Sequence, residues 1–565
     1  MLLPVHAILS CALMASATGE TKPTALEQDH VSSPAPVQPP GGLVHFGSIP
    51  NQPAHLRPDS RPDEEDVRRA IERHATTLAT VSNARGTTGS GPTERSATLG
   101  DLPRFTIFPY GGRLGLDFHI NLYFDHDPDE GEISAYDCGN STVDSMRYTE
   151  ALVPSMDHKR IGIPAFSALD GVVLEVGDDQ DDENVEQVEG ALTNYVFIDH
   201  GDGLEVYYFS LKKDSVLVTP GQVVRAGEQI AEVAASGYVN WPVLGFWTQQ
   251  DGVAFDPFTG ECNPGESSWV NQPEMPDIND VTCIDFSVTT ENLDAYYAFD
   301  ENWRYQPPAE GYVSMDNDGI WPWIRGLNLP ANSIYSFQFF DPAGDLHHDT
   351  GWMWLNFGLP SYDNWIWWFY FDLPGLQETP GTWQVKMFIN GEQQIDFPLE
   401  IIAEGDPTPN RAPEPITTAI VPPNPTSDDV LSCEVTSAFP LDDLDWDLVR
   451  FRYLWSVDGV IVRDTVSAGL ADFLPSVSGC GNPVVTCDVT PSDGMLDGSP
   501  STAAVVVTGY ACNADLDCDG IVGGPDLAFV LANWNSDDPT ADIDGSGTVD
   551  AADLAQVLGT WGLCQ

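Results

Sequence analysis

Short runs of alternating apolar and polar residues, separated by Gly and Asp, recur along most of this chain. Three of them lie at residues 172–176, 195–198 and 204–209. Successive side chains of a strand point to opposite faces, so a two-residue period predicts strands, and Gly and Asp favour the turns between them. The sequence therefore predicts a mainly β, multidomain protein.

The length of 565 residues predicts roughly three to five domains. Composition shifts and a Pro-rich linker near residues 404–410 divide the chain. We predict a signal peptide at 1–17, a disordered acidic and Pro-rich tether with one short helix at 18–100, a β domain at 101–276, a β-sandwich at 277–404, an Ig-like β-sandwich at 411–508 and a small helical, EF-hand-like module at 512–564.

Charge and the N-terminal residues limit the partners and the location. The formal net charge is −63, which repels phosphate backbones, so we exclude nucleic acid as a partner. Residues 1–17 contain an apolar run that ends in Ala15-Ser16-Ala17, a pattern typical of secretory signals. No later apolar stretch is long enough for a transmembrane anchor. We predict a secreted protein, extracellular or on the cell surface.

Two features of the β segments predict buried cores. Cys433, Trp455 and Cys487 have the order and spacing of an Ig-like sandwich, in which a disulfide between the two Cys packs on the Trp. The aromatic run at residues 365–371 is too short for a membrane helix. We interpret it as a buried central strand, with an exposed aromatic platform for glycan or partner binding as the alternative.

The C-terminal tail contains an acidic repeat. The run Asp-Leu-Asp-Cys-Asp-Gly-Ile at 515–521 is followed 27 residues later by Asp-Ile-Asp-Gly-Ser-Gly-Thr at 542–548. Oxygen side chains at positions 1, 3, 5 and 12 and Gly at position 6 are the pattern of a calcium loop. An apolar stripe at helical spacing follows each loop, so we predict that each loop leads into a helix. The tail is predicted to bind two calcium ions.

A calcium loop with an exiting helix, in two copies, resembles the dockerin type I family. That resemblance implies a cohesin-like or cell-surface partner; a terminal clip locked by calcium, which Cys512 and Cys564 would close, is the alternative. It also implies a ligand set in which position 7 acts through its carbonyl: Asp515, Asp517, Asp519, Ile521, Asp526, Asp542, Asp544, Ser546, Thr548 and Asp553.

The first β domain carries three motifs of a second family. They are Gly-Ile-Pro-Ala-Phe-Ser-Ala-Leu-Asp-Gly-Val-Val at 162–173, Asn-Tyr-Val-Phe-Ile-Asp-His-Gly at 194–201 and Val-Thr-Pro-Gly-Gln-Val-Val-Arg-Ala-Gly-Glu-Gln-Ile at 218–230. In order, spacing and turn chemistry this stretch resembles the lysostaphin-type zinc metallopeptidases. The resemblance implies a barrel-like β core called a duplicated hybrid motif, and peptidoglycan or another glycan as its ligand.

Active members of that family hold zinc with a His-x-x-x-Asp pair and the second His of a His-x-His pair. The aligned positions of this chain are Met146 and Glu150 for the first pair, Ser210 for an assisting His, and Val243 and Gly245 for His-x-His. A catalytic zinc ion needs about three protein ligands, and only Glu150 retains a ligand group. His200 in a hairpin, and His126 and His158 in predicted loops, lack ligand spacing. We therefore predict no zinc and no catalytic residues in this domain.

These observations lead to three hypotheses. The first is a secreted binding or cell-surface protein, a pseudoenzyme built on a lysostaphin-type domain without its chemistry and a calcium-binding tail. The second is a zinc metallopeptidase that acts on cell-wall peptides with a rearranged site. The third is a structural surface-layer component whose acidic face binds ions.

Overall fold

The computed structural model confirms the mainly β, multidomain class. It describes residues 104–129, 131–186, 191–275, 281–298, 302–356, 361–372, 379–436, 443–477, 482–508, 514–517 and 521–563, together with strand β1 (Leu43–Pro50). The predicted signal peptide and the helix predicted in the tether lie outside these residues. Residues 43–50, which the sequence places in a disordered tether, form β1, which pairs antiparallel with a strand of the second domain.

The first β domain is built on one large sheet and one small sheet. Its elements are β2 (His119–Leu122), β3 (Thr149–Leu152), α1 (Met156–Ile161), β4 (Pro164–Phe166), β5 (Gly171–Gly177), β6 (Tyr195–Asp199), β7 (Leu204–Phe209), β8 (Val223–Val224), β9 (Gln229–Glu232), β10 (Val243–Gln250) and β11 (Val253–Ala254). The large sheet runs β2-β3-β10-β7-β6-β5-β8, and β4 pairs with β9. Among the described strands the two end strands do not pair, so the sheet is open and the barrel-like expectation is corrected.

The second domain packs two sheets over an aromatic core. Its elements are β12 (Thr282–Thr289), α2 (Leu293–Tyr296), a 3-10 helix (Asn302–Arg304), β13 (Tyr312–Ser314), β14 (Trp321–Leu329), β15 (Ile334–Phe340), β16 (Leu346–Asp349), β17 (Met353–Trp354), β18 (Tyr362–Asp372), β19 (Gly381–Ile389) and β20 (Glu392–Ile402). One sheet runs β1-β18-β14-β12, the other β13-β20-β19-β15-β16. The aromatic run lies in β18, between two strands, and its rings are buried except for the half-buried Tyr370, which confirms a buried strand rather than an exposed platform.

The third domain is a β-sandwich of two sheets. Its strands are β21 (Thr418–Val421), β22 (Leu431–Val435), β23 (Arg450–Val457), β24 (Val460–Ser467), β25 (Ala471–Leu474), β26 (Val484–Ser492) and β27 (Ser501–Val506). Cys433, Trp455 and Cys487 share its core. The two Cys are free thiols, which corrects the predicted disulfide. They come from strands of the two opposite sheets, and both are fully buried.

A disulfide that the sequence does not predict closes the first domain. Cys138 and Cys262 are bonded across 124 residues of sequence. Both lie in loops outside the strands, so no strand pattern pairs them. In the extracellular location that the sequence predicts, such a bond persists.

The C-terminal module has β28 (Ile521–Val522), α3 (Gly524–Ala532), α4 (Ala551–Gly559) and β29 (Gly562–Leu563). The two helices follow the two acidic loops, as the apolar stripes predict. Six small side chains form its fully buried core: Ala514, Val522, Val530, Ala541, Val549 and Val557. A core of this size contributes little hydrophobic stabilisation.

Candidate functional site

Three neighbouring strands bring the predicted zinc-ligand positions of the first domain together. Strands β3 and β7 flank β10, and the register places Glu150 and Phe209 on either side of Gly245. Side chains that lie directly opposite on neighbouring strands point to the same face of a sheet. Glu150, Val243 and Gly245 therefore share one face, while the other face packs into the domain core.

An aromatic ring fills the space in front of Gly245. A Cβ atom at Gly245 would lie 2.2 Å from Cζ of Phe209. The Phe209 ring meets that of Tyr148 edge to face, with 5.0 Å between their centroids. The two rings belong to an aromatic cluster on this face that consists of Tyr148, Tyr195, Phe197, Tyr207, Phe209 and Trp247. The volume that a ligand side chain at position 245 would occupy is thus taken by Phe209.

The surroundings of Val243 are also packed. It lies in an apolar cluster with Leu152, Met156, Ala235, Val239 and Trp241. Trp303, from the 3-10 helix of the second domain, stacks on Trp241 with 5.1 Å between centroids. Next to it, Arg304 Nε donates a hydrogen bond to the Asn240 carbonyl at 2.8 Å. The second domain therefore covers this end of the ligand face.

Met146 and Ser210 are buried residues with roles in packing and in a turn. Met146 lies in the loop before β3 and is buried. Ser210 follows β7 with a positive φ of 64°, and its N–H donates to Thr193 Oγ1 at 2.9 Å. Its carbonyl accepts from the Ala234 N–H at 2.9 Å. These backbone bonds hold Ser210 as a buried turn residue.

His119 lies on the ligand face, and the sequence analysis missed it. Its register partner on β3 is Leu152, so it lies on the same face as Glu150. Burial lowers the pKa of His119 to about 4, although the Glu150 carboxylate opposes this shift. The Glu150 Oε1 atom also accepts a hydrogen bond from Asn121 Nδ2 at 3.2 Å. The alternation of side chains along β2, which puts His119 on the ligand face, is the signal that could have identified this residue.

The donors on this face do not match a catalytic zinc site. His119 and Glu150 supply two ligand groups, whereas such a site uses about three protein ligands and an open position. Glu175 and Glu205, which the register also puts on this face, accept hydrogen bonds from Tyr195 and Gln249. Within the described part of the chain, the groups of three or more His, Cys, Asp or Glu with converging ligand atoms consist of Asp alone and lie in the third domain and the tail.

The three histidines that the sequence analysis weighed as zinc ligands have hydrogen-bond partners. His200 Nδ1 lies 2.8 Å from the Asp170 carbonyl, and burial lowers the pKa of His200 to about 4. His126 Nε2 lies 2.8 Å from Asp256 Oδ2. His158 is in α1, not in a loop as predicted, and its Nδ1 lies 2.8 Å from Ser155 Oγ. The three side chains therefore fix loops, a hairpin and a helix end.

The acidic loops of the tail bring carboxylates together in two places. Ligand atoms of Asp515, Asp517 and Asp526 lie within 4.8 Å of one another, and so do those of Asp542, Asp544 and Asp553. Oxygens at this spacing can share one calcium ion, whose ligands lie at about 2.4 Å. Asp519 lies outside the described residues. The other predicted ligands are Ile521, which begins β28, and Ser546 and Thr548, which lie in the second loop.

The position-12 aspartates connect each loop to its helix. Asp526 is fully buried, and its carboxylate accepts the N–H groups of Leu516 and Gly523, each at 2.6 Å. Asp553 is equally buried and accepts the N–H groups of Asp544 at 3.0 Å and Asp550 at 2.7 Å. Each carboxylate thus ties the start of its loop to the first turn of the following helix.

Comparison with known proteins gives one family match. Residues 157–257 match the model of Peptidase family M23. The matched range includes Ser210, Val243 and Gly245 and begins after Met146 and Glu150. No curated protein matches the chain.

Three solved structures are similar to parts of the chain. A zinc-containing peptidase from Vibrio cholerae has 23% identity and a TM-score of 0.19, with 29% of this chain and 40% of that chain covered. The catalytic domain of a prophage-encoded M23 protein from Enterococcus faecalis has 17% identity and a TM-score of 0.17, with 25% and 88% covered. The catalytic domain of lysostaphin from Staphylococcus simulans has 20% identity and a TM-score of 0.16, with 23% and 86% covered.

The chain spans less than half of the Vibrio cholerae protein, and the family match covers only the first β domain. The matched range contains the strands that carry the three sequence motifs. The chain therefore contains a Peptidase family M23, lysostaphin-type domain at residues 157–257.

Proposed function

We propose that this chain is a secreted binding or cell-surface protein in which the M23 domain serves as a scaffold without peptidase activity. The observation that carries the proposal is the packing of the Phe209 ring in front of Gly245. A zinc hydrolase needs its metal to generate hydroxide near neutral pH. Val243 lies in an apolar cluster, and the Phe209 ring occupies the space in front of Gly245. The site therefore has neither the ligands nor the open space for that reaction.

The tail supplies the proposed means of attachment. Leu531 and Trp534 of the first repeat are exposed, and Leu558 and Trp561 are exposed at the equivalent positions of the second. Two matching apolar pairs, each with its Leu on a helix and its Trp just after the helix end, suit docking onto a cohesin-like partner. Two bound calcium ions are part of this proposal.

Secretion is likewise part of the proposal and rests on the N-terminal signal pattern and the disulfide between Cys138 and Cys262. None of the four α-helices that the structure describes has the length and apolar character of a membrane-spanning segment. Peptidoglycan or another glycan is the ligand that we propose for the M23 domain.

One observation favours a zinc peptidase with a rearranged site as the second candidate. His119 and Glu150 lie on the ligand face with ligand groups in the right chemical class for zinc. A third ligand would be required, and Val243 and Gly245 cannot supply it with their side chains.

One assay with purified cell-wall sacculi distinguishes the binding protein from the zinc peptidase. The full mature chain is mixed with sacculi and zinc, the sacculi are sedimented, and both the bound protein and the released peptides are measured, with an active M23 enzyme as control. We expect no release above the level without protein and retention of the chain in the pellet. Release that a chelator stops would favour the peptidase, and a chain that stays in the supernatant would contradict glycan binding.

A further inference from the structure

An acidic loop of the third domain lies against the second domain. Asp443, Asp445 and Asp447 alternate along residues 443–447, and one ligand atom from each lies within 4.8 Å of the others. Trp446, between the last two acids, packs on Phe286 of β12 with 4.7 Å between ring centroids. The three carboxylates therefore lie in a loop of the third domain that contacts the second domain.

The Asp443 carboxylate is buried with one oxygen unsatisfied. The side chain is 3% exposed. Its Oδ1 atom accepts the Asp445 N–H at 2.7 Å, but Oδ2 has no hydrogen-bond partner in the part of the chain that the structure describes. A buried carboxylate oxygen without a donor is costly unless a cation or a proton satisfies it.

The charges around Asp443 point to a cation. Ligand atoms of Asp445 and Asp447 lie within 4.8 Å of that of Asp443, so like charges surround the buried carboxylate. Arg411 pairs with Asp445, with 2.8 Å between Nε and Oδ1, so that carboxylate is partly neutralised. Because Arg411 pairs with Asp445, the negative charges of Asp443 and Asp447 still repel each other.

The geometry leaves room and access for an ion. Asp443 and Asp447 line a cavity of about 70 Å³ that also borders Ile284 and Phe286 of the second domain. Asp447 is exposed, so an ion can enter from solvent. Oxygens within 4.8 Å of one another can share an ion whose ligands lie at about 2.4 Å, with water and backbone carbonyls completing its six to eight ligands.

We propose that Asp443, Asp445 and Asp447 bind a calcium ion that holds the third domain against the second. Donors that are all oxygen favour calcium or magnesium over zinc. Calcium tolerates irregular sites, whereas magnesium demands near-ideal octahedral geometry. The ion satisfies Asp443 Oδ2 and fixes the loop that presses Trp446 onto Phe286 and, at 5.4 Å between centroids, onto Phe397. This joint is separate from the tail loops.

The test counts calcium ions on the full chain after the tail loops are disabled by Asp526→Asn and Asp553→Asn. Equilibrium dialysis against calcium, up to the roughly millimolar affinities of extracellular modules, is expected to show one ion more in this background than after the further change Asp447→Asn. Asp428→Asn, which removes one exposed charge of the same domain outside the cluster, is the control and should keep that ion. Magnesium is dialysed in parallel and should bind more weakly.

A second readout locates the ion. Adding calcium should slow hydrogen exchange in peptides that cover residues 443–449 and 284–288 at least tenfold, and Asp443→Asn should remove that effect. Asp447 is exposed, so Asp447→Asn keeps the test decisive even if Asp443→Asn does not fold. Equal calcium counts with and without Asp447→Asn, or no calcium-dependent protection at the joint, would overturn the proposal.

Discussion

Chelation of calcium is expected to abolish the hydrogen-exchange protection of helices α3 and α4, while the sheets of the first β domain keep theirs. Each tail loop gathers three Asp carboxylates within 4.8 Å, and without an ion they repel one another. Among the described residues of the module, the fully buried core consists of Ala and Val, and Leu516, Leu527, Ile543 and Leu554 pack against it partly buried. At calcium 100-fold above the dissociation constant, two ions stabilise the module by about 5 kcal/mol, which is most of the stability of a unit this small.

Single substitutions test whether the calcium-dependent protection of α3 and α4 depends on the acidic loops. Asp526→Asn weakens an ion ligand and the acceptor of the Leu516 and Gly523 N–H groups, and each donor left without a strong acceptor costs about 1 to 3 kcal/mol. The module should then exchange as in chelator. Asp537→Asn removes one exposed charge between the loops and should change nothing. Helices that stay equally protected with chelator and with calcium would contradict a calcium-dependent fold of the tail.

The second large effect is expected at Gly245. In Gly245→Ala the new Cβ atom would lie 2.2 Å from the Phe209 ring, so the ring or the strand must move. Overpacking of this kind costs about 1 to 3 kcal/mol, occasionally more, and Gly245→His should be worse because its ring needs the same volume. Urea denaturation of each variant measures the loss as a lower transition midpoint.

A double variant shows whether Phe209 is the cause. Phe209→Ala alone should cost less than the about 3 to 5 kcal/mol of a fully buried Phe, because Phe209 is half-buried. Combined with Gly245→Ala, it should cost less than the sum of the two, with a coupling of about 0.5 to 3 kcal/mol. Gly265→Ala is the matched control, because a Cβ there meets nothing within 4 Å. A neutral Gly245→Ala, or strict additivity, would mean that the ring does not fill the site.

Local signals in the sequence predicted much of this architecture. The Gly-bearing turns of the M23 motifs adopt the conformation that only Gly takes readily, with φ of 87° at Gly201, 87° at Gly221 and 79° at Gly227. The apolar stripes of the tail became α3 and α4. Both predictions depend on residues that are close in sequence, where turn chemistry and periodicity act directly.

The features that the sequence did not reveal depend on contacts between distant segments. Phe209 fills the space at Gly245 because β7 and β10 are neighbours in one register, and a single sequence does not fix that register. The Cys138–Cys262 bond and the contact of Trp303 with Trp241 likewise join segments far apart. The missed strand β1 lies in a polar, Pro-rich segment, and its pairing with β18 comes from the open edge of that sheet.

Zinc stoichiometry tests the central claim most directly. The full mature chain is saturated with zinc, freed of loosely bound ions by gel filtration in calcium buffer, and analysed for metal by mass spectrometry. The account predicts well below one zinc ion per chain, and the same low value for His119→Asn, because among the described residues no third His, Cys, Asp or Glu converges with His119 and Glu150 where about three ligands are needed. One zinc ion per chain that is lost in His119→Asn, together with chelator-sensitive peptide hydrolysis, would contradict it.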